Sequence, residues 1–290
     1  MSTSAFAPGK IILMGEHAVV YGHTALAMAI DRGMTVRLDE RPGPTRLENS
    51  PIDDPRMGEA LRRVLPPNGI GVHIASTLPI GRGMGSSAAL AVALARASLR
   101  REGRATTEEA VNERAFAVER VFHGSPSGID HTVSMHGGAM LYRRNEAGPV
   151  FEPIQLPQLP IVVIDSGSAG NTATMVATVA GNLTSNSEHL ACMGDLVATT
   201  LPALQRADLP AIGAAWSENH RLLQAIGVST PLLDAIVDTA IAAGATGAKL
   251  AGAGGGGVVI ALARDPAAVC AAAAEQGWGA FSVSPAPCTA

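Results

Sequence analysis

The sequence predicts an α+β protein of two domains, and three observations carry that expectation. The chain has 290 residues, enough for one large or two ordinary domains with sizeable cores. Alternating apolar stretches and helical-period stretches interleave along both halves, as a layered sheet-and-helix architecture requires. Near the middle, Gln155-Leu156-Pro157-Gln158-Leu159-Pro160 sets two prolines in a short polar linker ahead of the β-branched run Ile161–Ile164. That places the division at 1–157 and 158–290.

Taken in order, the apolar run Lys10–Met14 reads as a strand after Pro8-Gly9, a second strand is expected over Ala25–Ile30, and a third over Met34–Leu38. Residues 41–55, rich in Pro, Gly, Asp and Asn, read as a loop or insertion. A short helix over Gly58–Leu65 is ended by Pro66-Pro67, and Val72 and Ile74 mark the next strand. An apolar helix then starts at Ser86 or Ser87 and stops before Gly103. The next is capped by Thr106 or Thr107 and begins with Glu108 and Glu109, which suits the positive end of its dipole. Residues 133–142 and 150–156 look like strands around a polar hairpin. The second half reads as a strand (161–165), a helical stretch from Thr172 to about Leu204 broken near Asn182–Ser187, and helices over Leu209–Ile226 and Thr230–Ala243. Strands at Gly247–Leu250, Val258–Ala263 and Phe281–Val283 follow, with a helix at Pro266–Gln276 between the last two.

Composition excludes several classes. Lys and Arg number 21 against 25 Asp and Glu, a net charge of −4, so nucleic acid is not an expected partner. Three cysteines without C-x-x-C spacing suggest neither a disulfide framework nor a zinc site, which fits a reducing cytoplasm. No apolar run reaches the roughly 18 residues that would span a bilayer, and no export signal opens the chain, so neither membrane nor secretion is expected.

The stretch Pro79-Ile80-Gly81-Arg82-Gly83-Met84-Gly85-Ser86-Ser87-Ala88-Ala89 joins a strand to a helix. Its glycines allow positive φ or close approach of a ligand, and the helix start offers unpaired N–H groups to an anion. Ser86 and Ser87 add hydroxyls for a cation. It is not a Walker A loop, since no Lys precedes the serines, and not a dinucleotide fingerprint, since Ser86 stands where that motif needs Gly. By itself it is equally a glycine-rich turn with a serine cap.

Two further stretches share its theme: Pro8-Gly9-Lys10 to Gly15-Glu16-His17, and Lys249-Leu250-Ala251-Gly252-Ala253-Gly254-Gly255-Gly256-Gly257. In this order, the three resemble the signature motifs of the GHMP kinase superfamily. Ala7–Gly22 is most similar to its mevalonate kinase branch, as are Glu119-Arg120, His123–Asp130, and Asn219-His220 with Leu222-Leu223. The resemblance implies a two-domain GHMP kinase fold. Its N-terminal half would be ribosomal-protein-S5-domain-2-like with a left-handed β-α-β crossover, its C-terminal half ferredoxin-like, and its site would lie in the cleft between them. It also implies ATP-dependent phosphorylation of the 5-hydroxyl of mevalonate, a step of isoprenoid synthesis. Another small-molecule kinase of the superfamily (phosphomevalonate, galactose or homoserine) and a silent ligand-binding member are the alternatives. A homodimer is one possible assembly.

Carried onto this sequence, the resemblance makes Asp130 the general base and Lys10 its charged partner. ATP falls to Pro79, Gly81, Gly83, Met84, Gly85, Ser86, Ser87 and Ala88, and Mg2+ to Ser87 and Glu119. Glu16, His17, Ser127 and Thr172 become the substrate ring. Read without the motifs, Glu119 is a solvated helix face, Asp130 a turn or cap residue, Lys10 with Asp130 a structural ion pair, and His17 a satisfied structural histidine. The run Gly252–Gly257 is explained equally by close backbone packing.

Overall fold

The structure is a computed structural model that describes residues 2–123, 128–145 and 148–288. Its N-terminal sheet contains β1 (Thr3–Met14), β2 (Ala25–Pro44), β3 (Arg46–Asn49), β4 (Asn68–Ser76), β5 (Ala139–Asn145) and β6 (Gly148–Ile154), ordered β3-β4-β2-β5-β6 with β1 also on β2. Helix α1 (Met57–Arg62) precedes β4. Helices α2 (Ser86–Arg101), α3 (Glu108–His123) and α4 (Ile129–His136) connect β4 to β5. Because β4 and β5 are both antiparallel to β2, these helices carry the chain between parallel strands that are not neighbours. From Ala88 to Ala95 every side chain of α2 is buried, and its many alanines let the helix lie close to sheet and helices alike.

The C-terminal half runs β7 (Ile161–Asp165), α5 (Thr172–Gly181), α6 (Leu183–Gln205), α7 (Leu209–Ala225), α8 (Pro231–Ala242), β8 (Ala245–Ala251), β9 (Val258–Ala263), α9 (Pro266–Glu275) and β10 (Gly279–Val283). Its sheet order is β10-β7-β9-β8 with antiparallel neighbours, which is the ferredoxin-like arrangement with four helices in the first crossover and one in the second. Asp208, Thr230 and Asp265 cap α7, α8 and α9 through their side chains, each with Pro in the first two helical positions.

One hydrophobic core joins the halves. It runs from Ile11, Met34 and Leu94 to Ile161, Trp216, Ile260 and Leu262. After β10 the chain returns to the N-terminal sheet, where Ala286 N–H donates to Ala29 O and Gly138 N–H to Ala286 O, both at 2.9 Å. Residues 284–288 thus pack on the first half, although they follow the linker in sequence. Among the described residues no helix is long and apolar enough to cross a membrane.

Three local expectations are corrected. Ala25–Ile30 and Met34–Leu38 belong to one strand, β2, because β1 pairs with both segments and absorbs the irregularity between Pro8 and Lys10. Part of the expected loop at 41–55 is strand, since β2 continues to Pro44 and β3 pairs parallel to β4. Residues 133–136 lie in α4 rather than in a strand. Ile129 and Val133, one turn apart, and Thr132 and Met135 are buried together by that helix.

Candidate active site

The phosphate-loop candidate folds as strand, turn and helix. Gly85 is the N-cap of α2 with φ 70°, and a Cβ there would lie 3.0 Å from Lys10 Cγ. The positive φ favours glycine, and the close lysine stem leaves little room for any side chain. With no side chain to cap it, the first turn of α2 presents its N–H groups and the hydroxyls of Ser86 and Ser87 to a cavity of about 340 Å³. That volume is within the range of small-molecule sites.

Both halves line this cavity. The first contributes Gly81, Arg82, Gly83, Gly85, Ser86, Ser87, His123 and Asp130, and the second Gly170, Thr172, Ala253, Gly254 and Gly256. Ile52, Leu90 and Phe122 add apolar wall. Of the residues expected to hold nucleotide, Met84 and Ala88 are buried in the protein instead, and Pro79 is not on the wall. The Met84 backbone has a different use: its carbonyl accepts from the Lys10 N–H at 2.9 Å, tying β1 to the loop.

Lys10 is buried, and its Nζ lies 3.2 Å from Asp130 Oδ1 and donates to Gly83 O at 3.2 Å. Asp130, on the first turn of α4, keeps 38% of its side chain exposed to the cavity. The lysine is thus fixed from behind while the carboxylate remains reachable. Glu119 is buried nearby on α3 with Oε1 unpaired. Its carboxyl is raised to about 7, first by burial and then by the Asp130 charge. The hydrogen bond from Ser87 and the Lys10 charge pull it down, but by less. Ser87 Oγ is also hydrogen bonded to His123 Nε2 at 2.9 Å.

A second cluster joins the first and third glycine-rich stretches. Glu16 is fully enclosed, ion paired to Lys249, and accepts from Asn219 Nδ2 at 3.1 Å. The next residue, His17, has φ 57° and donates from Nε2 to Ala253 O at 2.8 Å. Burial lowers its pKa against the opposing effects of that hydrogen bond and of Glu16, so the imidazole is neutral with Nδ1 as its acceptor. Both Glu16 oxygens are therefore occupied inside the protein, and Glu16 does not line the cavity. Thr172 does, at the start of α5. Ser127 lies outside the described residues.

The third glycine run passes beneath the loop. Gly254 has φ 81°, and a Cβ there would meet Val228 O at 2.1 Å. Gly257 N–H donates to Ser168 O at 2.8 Å, so this run packs backbone on backbone and also reaches the cavity wall.

Removing one member of the Glu16–Lys249 pair should be costly, because the other is left as a buried uncompensated charge. Lys249→Met is expected to lose about 3–5 kcal/mol in urea denaturation. A loss near zero would show that water or another cation replaces the lysine.

Sequence reasoning did not find Lys249 as the partner of Glu16, His123 as the partner of Ser87, or Arg82 and Asp165 as an ion pair across the halves (Nε to Oδ1, 2.9 Å). Only Lys249 left a signal, as a charge heading an otherwise apolar and glycine-rich stretch.

Among the described residues no three His, Cys, Asp or Glu side chains gather into a metal cage. What stands beside the α2 N-terminus is a hydroxyl and a buried carboxylate with an unpaired oxygen. Those two hard ligands have the chemistry that would suit a magnesium ion.

The family model for the GHMP kinases N terminal domain matches residues 56–138, and that for the GHMP kinases C terminal matches residues 200–277. A mevalonate kinase of Thermococcus sibiricus is 36% identical, with 96% of this chain and 94% of the relative covered. Among solved structures, L. major mevalonate kinase in complex with R-mevalonate superposes with a TM-score of 0.89 at 31% identity, covering 99% of this chain and 97% of that one. Lactococcus lactis galactokinase complexed with galactose gives a TM-score of 0.78 at 18% identity, covering 100% and 95%. That second likeness is one of fold alone.

Proposed function

Since the chain belongs to the GHMP kinase family, with mevalonate kinases among its relatives, we propose that it transfers the γ-phosphoryl group of ATP to the 5-hydroxyl of mevalonate. The observation that carries this reading is the Lys10–Asp130 pair, set at the same cavity as the uncapped start of α2. The helix start suits a polyphosphate, and the pair beside it presents a carboxylate to an alcohol.

In this mechanism the first-turn N–H groups of α2 and the turn at Gly83–Gly85 hold the phosphates. Asp130 accepts a hydrogen bond from the substrate hydroxyl and points its oxygen along the line of attack. The alcohol oxygen bonds to the γ-phosphorus as the bond to the β-phosphate oxygen breaks, ADP leaves, and the alcohol proton passes to the Asp130 carboxylate. Lys10 keeps Asp130 ionised and draws negative charge toward the reacting oxygen. Ser87 and Glu119 would hold Mg2+, which supplies charge neutralisation to the phosphates when bound. Thr172 is proposed to face the remainder of the substrate, whereas Glu16 and His17 brace the third glycine-rich stretch from behind, through Lys249 and Ala253 O.

A panel of alcohols assayed for ADP release tests the reading. Mevalonate should exceed galactose, homoserine and phosphomevalonate in kcat/KM by about 10⁴-fold, the scale of discrimination when polar groups of a site are left unpaired. A preference for any of the other three would overturn it.

A further inference from the structure

Resting on the phosphoryl-transfer reading, we infer that Arg82 is a phosphate-binding residue of this site, held in place by Asp165 so that a bound nucleotide also bridges the two halves of the protein.

Two arginines line the cavity, Arg56 and Arg82. Every guanidinium nitrogen of Arg56 is occupied: Nε and Nη2 donate to Asp54, and Nη1 donates to Phe122 O. Lys10 is committed to Asp130 and Gly83 O. Arg82 is engaged along one edge only. Its Nη2 donates to Gly167 O at 2.9 Å, and its Nε lies 2.9 Å from Asp165 Oδ1 in an ion pair without hydrogen-bond alignment, which leaves Nη1 without a protein partner among the described residues.

The residue is well placed to use that nitrogen. It sits between Gly81 (φ 73°) and Gly83 (φ 77°), both on the cavity wall, and three positions before the N-cap of α2. Its side chain keeps 21% of its surface exposed.

Asp165 is itself fixed at the end of β7, where its Oδ1 accepts from Gly167 N–H at 2.9 Å. A guanidinium is a rigid planar fork, so one hydrogen bond to Gly167 O and the adjacent Asp165 charge restrict its direction and remove part of the rotamer entropy before a ligand arrives. A helix end and backbone N–H groups hold a polyanion through partial charges. Arg82 adds the full positive charge that they lack. Asp165 and Gly167 belong to the second half, so a phosphate on Arg82 links both.

The test is nucleotide binding by calorimetry without any alcohol substrate, in Mg2+, for the intact protein and for Arg82→Ala, Arg82→Lys and Asp165→Asn. Arg82→Ala should weaken ATP and ADP roughly 10- to 100-fold, the range for losing one charge-assisted hydrogen bond, and AMP far less. Arg82→Lys should recover part of the loss, because the charge returns without the fork. Asp165→Asn should weaken ATP several-fold, since the guanidinium keeps its charge but loses its orientation.

Unchanged ATP affinity in Arg82→Ala would overturn the assignment. Equal losses for AMP, ADP and ATP with a lowered Tm would overturn it too, because the pair would then be a strut between the halves. ATP binding that depends on Arg82 in a protein that does not phosphorylate mevalonate would overturn the substrate reading and leave this assignment standing.

Discussion

Asp130→Asn and Lys10→Met are each expected to lower kcat by about 10²- to 10⁴-fold, and the double variant to lose little more than either alone. The reason is geometric. Lys10 Nζ lies 3.2 Å from Asp130 Oδ1, and its other hydrogen bond goes to Gly83 O, so in the proposed mechanism the two side chains address one oxygen. Without the lysine, the carboxylate loses both its charge partner and its orientation. With asparagine in place of the aspartate, the amide oxygen still accepts from the lysine, but no carboxylate remains to take the alcohol proton. Nucleotide affinity, measured separately, should change little. Losses that multiply in the double variant would show that the residues serve different steps. A large fall in ATP affinity for Lys10→Met alone would move that lysine from the hydroxyl to the phosphates.

Glu119→Gln should lower turnover at moderate Mg2+ by about 10²- to 10³-fold, and Ser87→Ala by about 10²-fold. Both should be relieved in part by raising Mg2+. Near-normal turnover of Ser87→Ala at low Mg2+ would leave that hydroxyl as a structural partner of His123 only.

The Glu119 carboxyl also predicts a stability effect of opposite sign. It titrates near 7 in the folded protein against 4.5 for the ordinary group, so between those values the folded state holds a proton that the unfolded chain has released. The contribution to stability is full below about pH 4.5 and falls as pH rises to about 7, reaching a cost of ~3 kcal/mol above it. In thermal melts without divalent ions, Glu119→Gln should therefore be the more stable protein at pH 8 and lose that advantage at pH 4. Mg2+ at pH 8 should restore the wild type and leave the variant unmoved. Parallel melting curves across this range would refute the buried-carboxylate account.

Much of this was legible in the chain alone. Residues 161–283 read as strand, helices, two strands, helix and strand, and the structure keeps that order, with Asp208 and Thr230 capping α7 and α8 and α5 giving way to α6 at Asn182. The three glycine-rich stretches were equally visible, since positive φ and close backbone approach leave glycine as a local mark. Lys10 and Asp130 were paired through family resemblance rather than through spacing. Their separation of 120 positions says nothing about a contact until α4 is folded against β1.

What tertiary structure alone decided was long-range. Whether β2 is one strand or two depends on β1 lying along its whole length. Whether Glu16 meets a substrate or Lys249 depends on how two halves meet. Arg82 looked like any exposed loop arginine until Asp165 and Gly167 arrived beside it from the other half. The physical reason is common to these cases. Propensity, capping and glycine conformation act over a few residues, so the sequence states them locally. Charge pairing, burial and pKa depend on which distant segment supplies the neighbour, and only the folded chain brings that neighbour within reach.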